Sequence, residues 1–431
     1  MKTLLKKLHQ DHVCDILNKI SVEDKRLLLS QINMFDKKSL IKQKKDFFSS
    51  VSFLNDVFPW PKCGVFNEHD RKIGENVLKK GQIALVMLAG GQGTRLGFLK
   101  PKGCFPVSLI KNKSLFQLFF EKIIAAKKKY HVKIPIAIMV SPLNEKEIFS
   151  FFQKNNFFSL DSNDVFFFKQ NMLPLLDEKG RWVISAENKV ATGPDGNGDL
   201  FYHLYKSGIW KIFNEKKIKY LSVFSVDNPL LNPMEESLLG YHKSNKNDVT
   251  IRVIEKEKNM GLLAEKDGMP QIIEYLYFED KKNIEKDFLF ANANHFIIDM
   301  SFAEMMQKKS KELFYHPVKK IRRFQKEKKE IYKSEKFLFD SFIFADKTGV
   351  LLYPKKECFS PLKNKEDICF VKKDLFERDK QILSDLGIKK SIGQKKIELS
   401  QDFYFPTQEL IEKCKKNSCP LEGYIQETDL V

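Results

Sequence analysis

The chain opens on a helical pattern of apolar positions. Leu4, Leu5, Leu8, Val13, Ile16, Leu17 and Ile20 recur at three- and four-residue spacing, the repeat that gathers side chains on one helix face. Ser21-Val22-Glu23-Asp24 reads as a helix N-cap followed by acids in the first turn, with Leu27, Leu28, Leu29 and Ile32 as the next buried stripe. Phe58-Pro59-Trp60-Pro61 ends this pattern, because two prolines flanking one residue disfavour helix. From Ile83 onward, short β-rich runs alternate with longer helical stretches. Residues 83–88, 134–140, 165–168 and 220–226 read as strands, and 115–127 and 145–152 as helices. Such alternation predicts crossover units and a mostly parallel, doubly wound, Rossmann-like α/β sheet. Helices on both faces account for strands that are apolar throughout. After about residue 345 the texture changes again, with a short strand at 350–353 and a mixed segment from residue 383. The expected organisation is a helical N-terminal region (1–80), an α/β domain (81–378) and a small C-terminal module (379–431), without internal repeats.

Composition narrows the class. A chain of 431 residues exceeds one compact unit and suggests two or three domains. With 42% hydrophobic, 30% charged and 12% aromatic residues it can bury a core, and disorder is not expected over most of its length. The formal charge of +18 invites a nucleic-acid reading. Lysine and phenylalanine are abundant everywhere, however, so the charge reads as a compositional bias rather than a built patch. The richest run, Lys319-Lys320-Ile321-Arg322-Arg323 continuing to Lys328-Lys329, reads as a solvated face, and no nucleic-acid partner is expected. Seven scattered cysteines without a Cys-x-x-Cys pair suit a reducing compartment and argue against zinc. The first apolar run breaks at Lys6-Lys7, which leaves no signal-peptide core. The longest apolar runs, such as residues 83–89, fall far short of the roughly 20 residues that span a bilayer. A soluble, cytoplasmic protein without a membrane partner is expected.

Chemistry first shows after the 83–88 strand, in Leu88-Ala89-Gly90-Gly91-Gln92-Gly93-Thr94-Arg95-Leu96-Gly97, closed by Pro101-Lys102. Glycines let the backbone approach a ligand closely, and successive N–H groups can surround phosphate oxygens. Arg95 and Lys102 add charge, the first suited to bidentate phosphate contact. The segment lacks the Gly-Lys-Ser/Thr ending of a P-loop and the glycine spacing of a dinucleotide fingerprint. A second loop, Gly193-Pro194-Asp195-Gly196-Asn197-Gly198-Asp199-Leu200, reads alone as a turn, or as a calcium-like loop short of its remaining ligands. Asp227, at the end of the 220–226 strand, sits where open α/β sheets bind ligands, although a turn cap before Pro229 explains it equally well.

The glycine loop through Pro101-Lys102-Gly103 resembles the nucleotide-binding signature of the eukaryotic-type UDP-sugar pyrophosphorylases, nucleotidyltransferases with a Rossmann-like sheet. The resemblance runs from roughly residue 80 to 365 and is closest to the N-acetylglucosamine-type members. It implies that Leu88, Ala89, Gly90, Gly91, Gly93, Thr94 and Gly196 seat the nucleotide. Phe167 to Pro174 resembles the segment that reads uracil. Gln170 is apt there, because an amide pairs with both a carbonyl and the ring N–H. The resemblance further implies Asp227 as the ligand of Mg²⁺ held against phosphates, and Lys363, in Phe359-Ser360-Pro361-Leu362-Lys363-Asn364, as a lysine that reaches phosphate. Glu274 and Asn292 are the implied sugar contacts, with the register of Asn292-Ala293-Asn294-His295-Phe296 open by a residue and His295 structural. Lys336 to Phe344 alternates like a strand, and Phe342 and Phe344 match the acetamido wall. Asn197 matches the N-acetylglucosamine type, whereas Asp199 replaces the usual glycine and resembles the glucose type.

The implied reaction joins UTP and a sugar 1-phosphate into a UDP-sugar and pyrophosphate, with Arg95, Lys102 and Lys363 as the catalytic cations. N-acetylglucosamine 1-phosphate is the expected acceptor. Glucose 1-phosphate or a broad range of sugars is the alternative, and a non-catalytic nucleotide-sugar binder or a nucleic-acid binder is the remote one. A monomer or weak homo-oligomer is expected.

Overall fold

A computed structural model describes residues 2–49, 55–278, 285–324, 327–388, 396–416 and 422–430, with the side chains at 2, 276, 322–324, 327 and 328 left out. The arginines and Lys328 of the basic run therefore lie outside the described side chains. The N-terminal region is helical as its periodicity predicts, over Lys2–Lys7, Asp11–Lys19, Val22–Met34 and Lys37–Phe47. Ser21 caps the third helix, its hydroxyl accepting from the Asp24 N–H at 3.1 Å. Leu5, Leu8, Val13, Leu17, Leu28 and Ile32 turn inward, whereas Leu27 stays exposed. The buried stripe packs on Leu173, Leu176, Trp182, Val190 and Tyr315.

A ten-stranded sheet organises the centre. Its main path runs Phe58–Pro59, Leu262–Lys266, Phe290–Asp299, Tyr220–Ser225, Ile83–Leu88, Ile136–Val140, Val165–Lys169. Met269–Ile273 pairs with Leu262–Lys266, while Val249–Glu255 lies between Phe290–Asp299 and Thr348–Leu352. Successive residues of the central strand face opposite layers. Ile83, Leu85 and Met87 join a core with residues of Glu68–Lys79, Leu115–Tyr130 and Glu236–Asn245. Ala84 and Val86 join a second core with Leu200–Lys206, Ile209–Glu215 and Met300–Lys309.

The α/β organisation is as expected, but the sheet is mixed. The four strands from Tyr220–Ser225 to Val165–Lys169 are parallel, linked by crossovers such as Leu115–Tyr130. Beyond Tyr220–Ser225, Phe290–Asp299 runs antiparallel to both its main neighbours, whereas Thr348–Leu352 is parallel to Val249–Glu255. A short connection forces one of these reversals. Leu262–Lys266 turns into Met269–Ile273 through Asp267 and Gly268, at φ of 53° and 77°, a two-residue hairpin that can join only antiparallel strands.

The helices Glu68–Lys79 and Glu236–Asn245 cross at two glycines. A Cβ added at Gly74 would lie 1.8 Å from the Glu236 carbonyl oxygen, and one at Gly240 1.7 Å from that of Asp70. Gly240→Ala must push the helices apart and is expected to cost about 1–3 kcal/mol, the scale of overpacking a core, read as a lower denaturation midpoint.

The C-terminal segment builds its own small core around Leu383, Ile397, Leu399, Phe403, Leu410 and Ile425. It is fastened to the segment after the glycine loop through Glu398, which accepts from the N–H groups of Ile110 and Lys111 at 2.5 and 2.9 Å. Among the described residues no helix is long and apolar enough to cross a membrane.

Candidate functional site

The chain order of the parallel strands creates a switch point. After Ile83–Leu88 the chain adds Ile136–Val140 and Val165–Lys169 on one side, then returns to place Tyr220–Ser225 on the other. Leu88 pairs with Ser225 in register, so the glycine loop and Asp227 leave the same edge of the sheet side by side. This is the crevice where doubly wound sheets bind ligands.

The glycine loop is a closed finger. The Gly93 N–H donates to the Lys100 carbonyl at 3.0 Å and the Lys102 N–H to the Gly91 carbonyl at 3.2 Å. Arg95 therefore rides near the tip, on a short turn with Thr94, and Lys102 stands at the base. Thr94 and Arg95 are exposed, Leu88 is half-buried and Ala89 is buried, its N–H donating to the Met139 carbonyl at 2.9 Å. A Cβ at Gly91 would meet nothing within 4 Å, so its backbone faces open space available to a ligand. Gln170 follows the neighbouring strand and is buried, its N–H donating to the Val140 carbonyl at 3.0 Å. A Cβ at Gly90 would lie 2.5 Å from Gln170 Nε2, so the amide lies directly across the glycine. Residues expected to bind phosphate and base thus meet on adjacent strand ends.

Asp227 and Lys102 face each other, Nζ to Oδ2 at 3.5 Å, both half-buried. The loop carrying Lys363 is fastened to the same place. Asn228 is buried, its amide donates to the Cys358 carbonyl at 2.8 Å, and its side-chain oxygen accepts from the Ser360 N–H at 3.0 Å. The Leu362 N–H donates to the Asp227 carbonyl at 2.8 Å. From below, the fully buried Lys122 donates to the carbonyls of Pro229 and Leu231 at 2.6 and 3.0 Å. Sequence reasoning missed Asn228 and Lys122 as supports. Their partners lie more than a hundred positions away, and the only local clue was a lysine amid the apolar positions of the 115–127 helix.

Of the residues expected to contact sugar, Glu274 and Phe344 meet at one cavity, and Asn197, Asn292 and Phe342 do not line it. Glu274 lies beside a cavity of about 490 Å³, which Phe344 also lines. Phe342 does not reach it. It is fully buried and packs on Phe296 at 5.1 Å between ring centroids. The strand expected over 336–344 is instead a 3₁₀ helix, Leu338–Phe344. Ser341 donates its hydroxyl to the Leu338 carbonyl at 2.6 Å and Asp340 accepts from the Phe337 N–H at 3.4 Å, local bonds that favour a turn over an extended chain. A three-residue repeat then separates Phe339 and Phe342 from Ile343, which is exposed. Asn197 fastens this helix to the second glycine loop, its side-chain oxygen accepting from the Leu338 N–H at 2.9 Å. Gly196 sits at φ 89° against the Lys336 backbone. Asn292 is buried and shares two hydrogen bonds with Asn294, at 2.8 and 2.9 Å, across a bulge that leaves Asn294 exposed at φ 53°. His295 is fully buried, one ring nitrogen 2.9 Å from the Ser222 hydroxyl.

Burial pushes the Glu274 carboxyl up to about 7, opposed chiefly by Lys363. Above that pH it accepts hydrogen bonds as a carboxylate, and below it one oxygen is blocked by a proton. If Glu274 contacts the sugar, as the resemblance implies, the KM for sugar 1-phosphate is expected to rise as pH falls through 7. The substrate phosphate titrates nearby, with a second pKa of about 6 by analogy with other phosphomonoesters. Glu274→Gln keeps that substrate contribution and should lose the enzyme's own, so comparing the two pH profiles checks the assignment.

A metal can be considered at two places. Asp195, Asp199 and His203 offer donor atoms within 4.8 Å of one another. They do not fit a cation, because the Lys336 ammonium already donates to both Asp199 oxygens at 3.0 and 2.9 Å and to the Ser310 carbonyl at 2.9 Å. Burial raises Asp199, with Lys336 opposing, and burial together with Asp199 raises Asp195 to about 7. Asp227 fits better. It is a single, half-exposed hard-oxygen donor beside the phosphate finger, the arrangement that suits Mg²⁺ when substrate phosphates and water supply the other ligands.

Comparison with known proteins bears on the same segments. A family model described as UTP–glucose-1-phosphate uridylyltransferase matches residues 65–418. "Probable UDP-N-acetylglucosamine pyrophosphorylase" of Schizosaccharomyces pombe is 31% identical over 404 residues, 84% of this chain and 85% of its own. The UDP-N-acetylglucosamine pyrophosphorylase of Saccharomyces cerevisiae is 30% identical over 323 residues, 69% of this chain and 68% of its own. The crystal structure of the Trypanosoma brucei uridine diphosphate N-acetylglucosamine pyrophosphorylase with an inhibitor superposes with a TM-score of 0.79 at 24% identity, covering 98% of this chain and 97% of that one, a likeness of fold. The matched span contains the finger, the switch point and the cavity beside Glu274, and the chain belongs to the UTP–glucose-1-phosphate uridylyltransferase family of nucleotidyltransferases.

Proposed function

We infer that this protein transfers the uridylyl group of UTP to N-acetylglucosamine 1-phosphate, forming UDP-N-acetylglucosamine and pyrophosphate. The observation that carries the reading is the meeting of the Arg95–Lys102 finger, Asp227 and Gln170 at the switch point. The choice of sugar is supported by the names of relatives that span most of the chain. Asp199, the residue that resembles the glucose type, is turned into the buried pair with Lys336 and does not line the sugar-side cavity.

The sugar phosphate oxygen attacks the α-phosphorus of UTP in line, and pyrophosphate leaves. The nucleophile is already an anion, so the obstacle is repulsion between two anions, and positioning with charge neutralisation is what the site must supply. Arg95 and Lys102 hold the triphosphate, Gln170 reads the base, and Lys363 balances the sugar phosphate. Asp227 would hold Mg²⁺, which would supply further neutralisation of phosphate charge. A pyrophosphate-release assay with separate N-acetylglucosamine, glucose and galactose 1-phosphates tests the sugar. The highest kcat/KM is expected with N-acetylglucosamine 1-phosphate, and a preference for glucose 1-phosphate would overturn that choice.

A further inference from the structure

His316 occupies a junction that the reaction scheme above does not use. It is buried, 3% exposed, at the start of the ribbon His316–Phe324 and Glu327–Glu335. Its Nδ1 is hydrogen-bonded to the Tyr277 hydroxyl, and its Nε2 lies 2.6 Å from Asp340 Oδ2. Nε2–H donates to the carboxylate, while Nδ1 accepts from the phenol in the neutral ring or donates to its oxygen in the charged one, so both bonds are kept in either state. The ring also lies 4.7 Å from that of Phe337, tilted by 41°.

Each contact reaches a different sugar-side segment. Tyr277 lies in the turn that begins at Glu274, its N–H donating to the Glu274 carbonyl at 3.1 Å. Asp340 belongs to the 3₁₀ helix that carries Phe344. His316 itself pairs with Glu335, next to Lys336, whose carbonyl accepts from the N–H groups of Asn197 and Gly198 at 3.0 Å each. One imidazole therefore ties together the Glu274 turn, the Phe344 helix and the strand that seats the second glycine loop. All three side chains line the cavity beside Glu274.

We propose that His316 is a positioning residue for the sugar phosphate, acting with Tyr277 and Asp340 to fix Glu274, Phe344 and Asn197 relative to one another. The inference rests on the uridylyltransferase reading. The backbone pairing of His316 with Glu335, which supports the Gly196 loop, survives substitution of the ring, and the ring's own bonds reach neither the finger, Gln170 nor Asp227, so their loss should act on one substrate. His316→Phe keeps the ring volume and removes both hydrogen bonds. It is expected to raise the KM for N-acetylglucosamine 1-phosphate about tenfold, the equivalent of one or two net hydrogen bonds, while the KM for UTP stays within about twofold. Tyr277→Phe deletes only the hydroxyl and should raise the same KM about threefold to tenfold, so it decides the matter if His316→Phe does not fold.

Both substrates' KM values, measured on wild type and the two variants, supply the test. A selective rise for the sugar phosphate supports the proposal. An active wild type with unmoved KM values in Tyr277→Phe, or with both values rising together, overturns it alone. A wild type that makes no UDP-sugar overturns the uridylyltransferase reading and this proposal with it.

Discussion

Asp227→Ala is expected to lower kcat by at least ~10²-fold, the usual scale for losing one electrostatic group from a transition state, and Lys102→Ala by a similar factor. The two side chains face each other across 3.5 Å at the ends of adjacent structures, one on the strand end and one at the base of the finger. Neither substitution should act through the fold. It is the Asp227 backbone carbonyl, not the carboxylate, that receives the Leu362 N–H and holds the Lys363 loop, and alanine keeps it. The side-chain pair is partly exposed and contributes little to stability. The circular dichroism melt of each variant should therefore match wild type while turnover falls. On the proposed reading both groups act on the same phosphates, so the double variant should lose less than the product of the single losses. Near-wild-type turnover in either single variant would remove the assignment.

The second large effect is expected from Gly196→Ala. At φ 89° any side chain is strained, and a Cβ would lie 2.2 Å from the Lys336 carbonyl oxygen and 2.9 Å from its nitrogen. The contact is backbone against backbone, so no side-chain rotation relieves it. The loop must separate from Lys336, which also breaks the bonds from the Asn197 and Gly198 N–H groups to that carbonyl. A loss of kcat/KM of about 10² is expected, comparable to misplacing a reacting group by roughly 1 Å. Gly97→Ala is the control. Gly97 has a positive φ of 69° but nothing within 4 Å, so it carries the strain without the collision. Steady-state kinetics of the two variants should separate these causes, with Gly97→Ala much the milder. Equal losses would show that strain, not the seat on Lys336, governs the loop.

The parallel half of the fold was legible in the sequence because its strands are short, continuous apolar runs and its crossovers carry helical periodicity. The finger was legible because its glycines and two cations are contiguous. The antiparallel half was not, although Asp267-Gly268 is a hairpin signal whose consequence is a reversal of strand direction. The segment from Lys336 to Phe344 reads as a strand from its aromatic residues, yet Asp340 and Ser341 bond locally and wind it into a 3₁₀ helix, which sends Phe342 into the core. Polar supports were hidden for a different reason. Asn228, Lys122, His316 and the Asp199–Lys336 pair acquire meaning only from partners far along the chain, 137 residues apart in the last case. Apart from the apolar neighbours of Lys122, no local pattern marks such residues, since nothing beside them in the chain shows that the fold will bury them.

The most direct test of uridylyl transfer follows the α-phosphorus itself. UTP labelled at that atom, incubated with N-acetylglucosamine 1-phosphate and Mg²⁺, should pass its label into UDP-N-acetylglucosamine with one unlabelled pyrophosphate released per product. Label that stays in UTP, or that appears in UMP without a nucleotide sugar, would contradict the account.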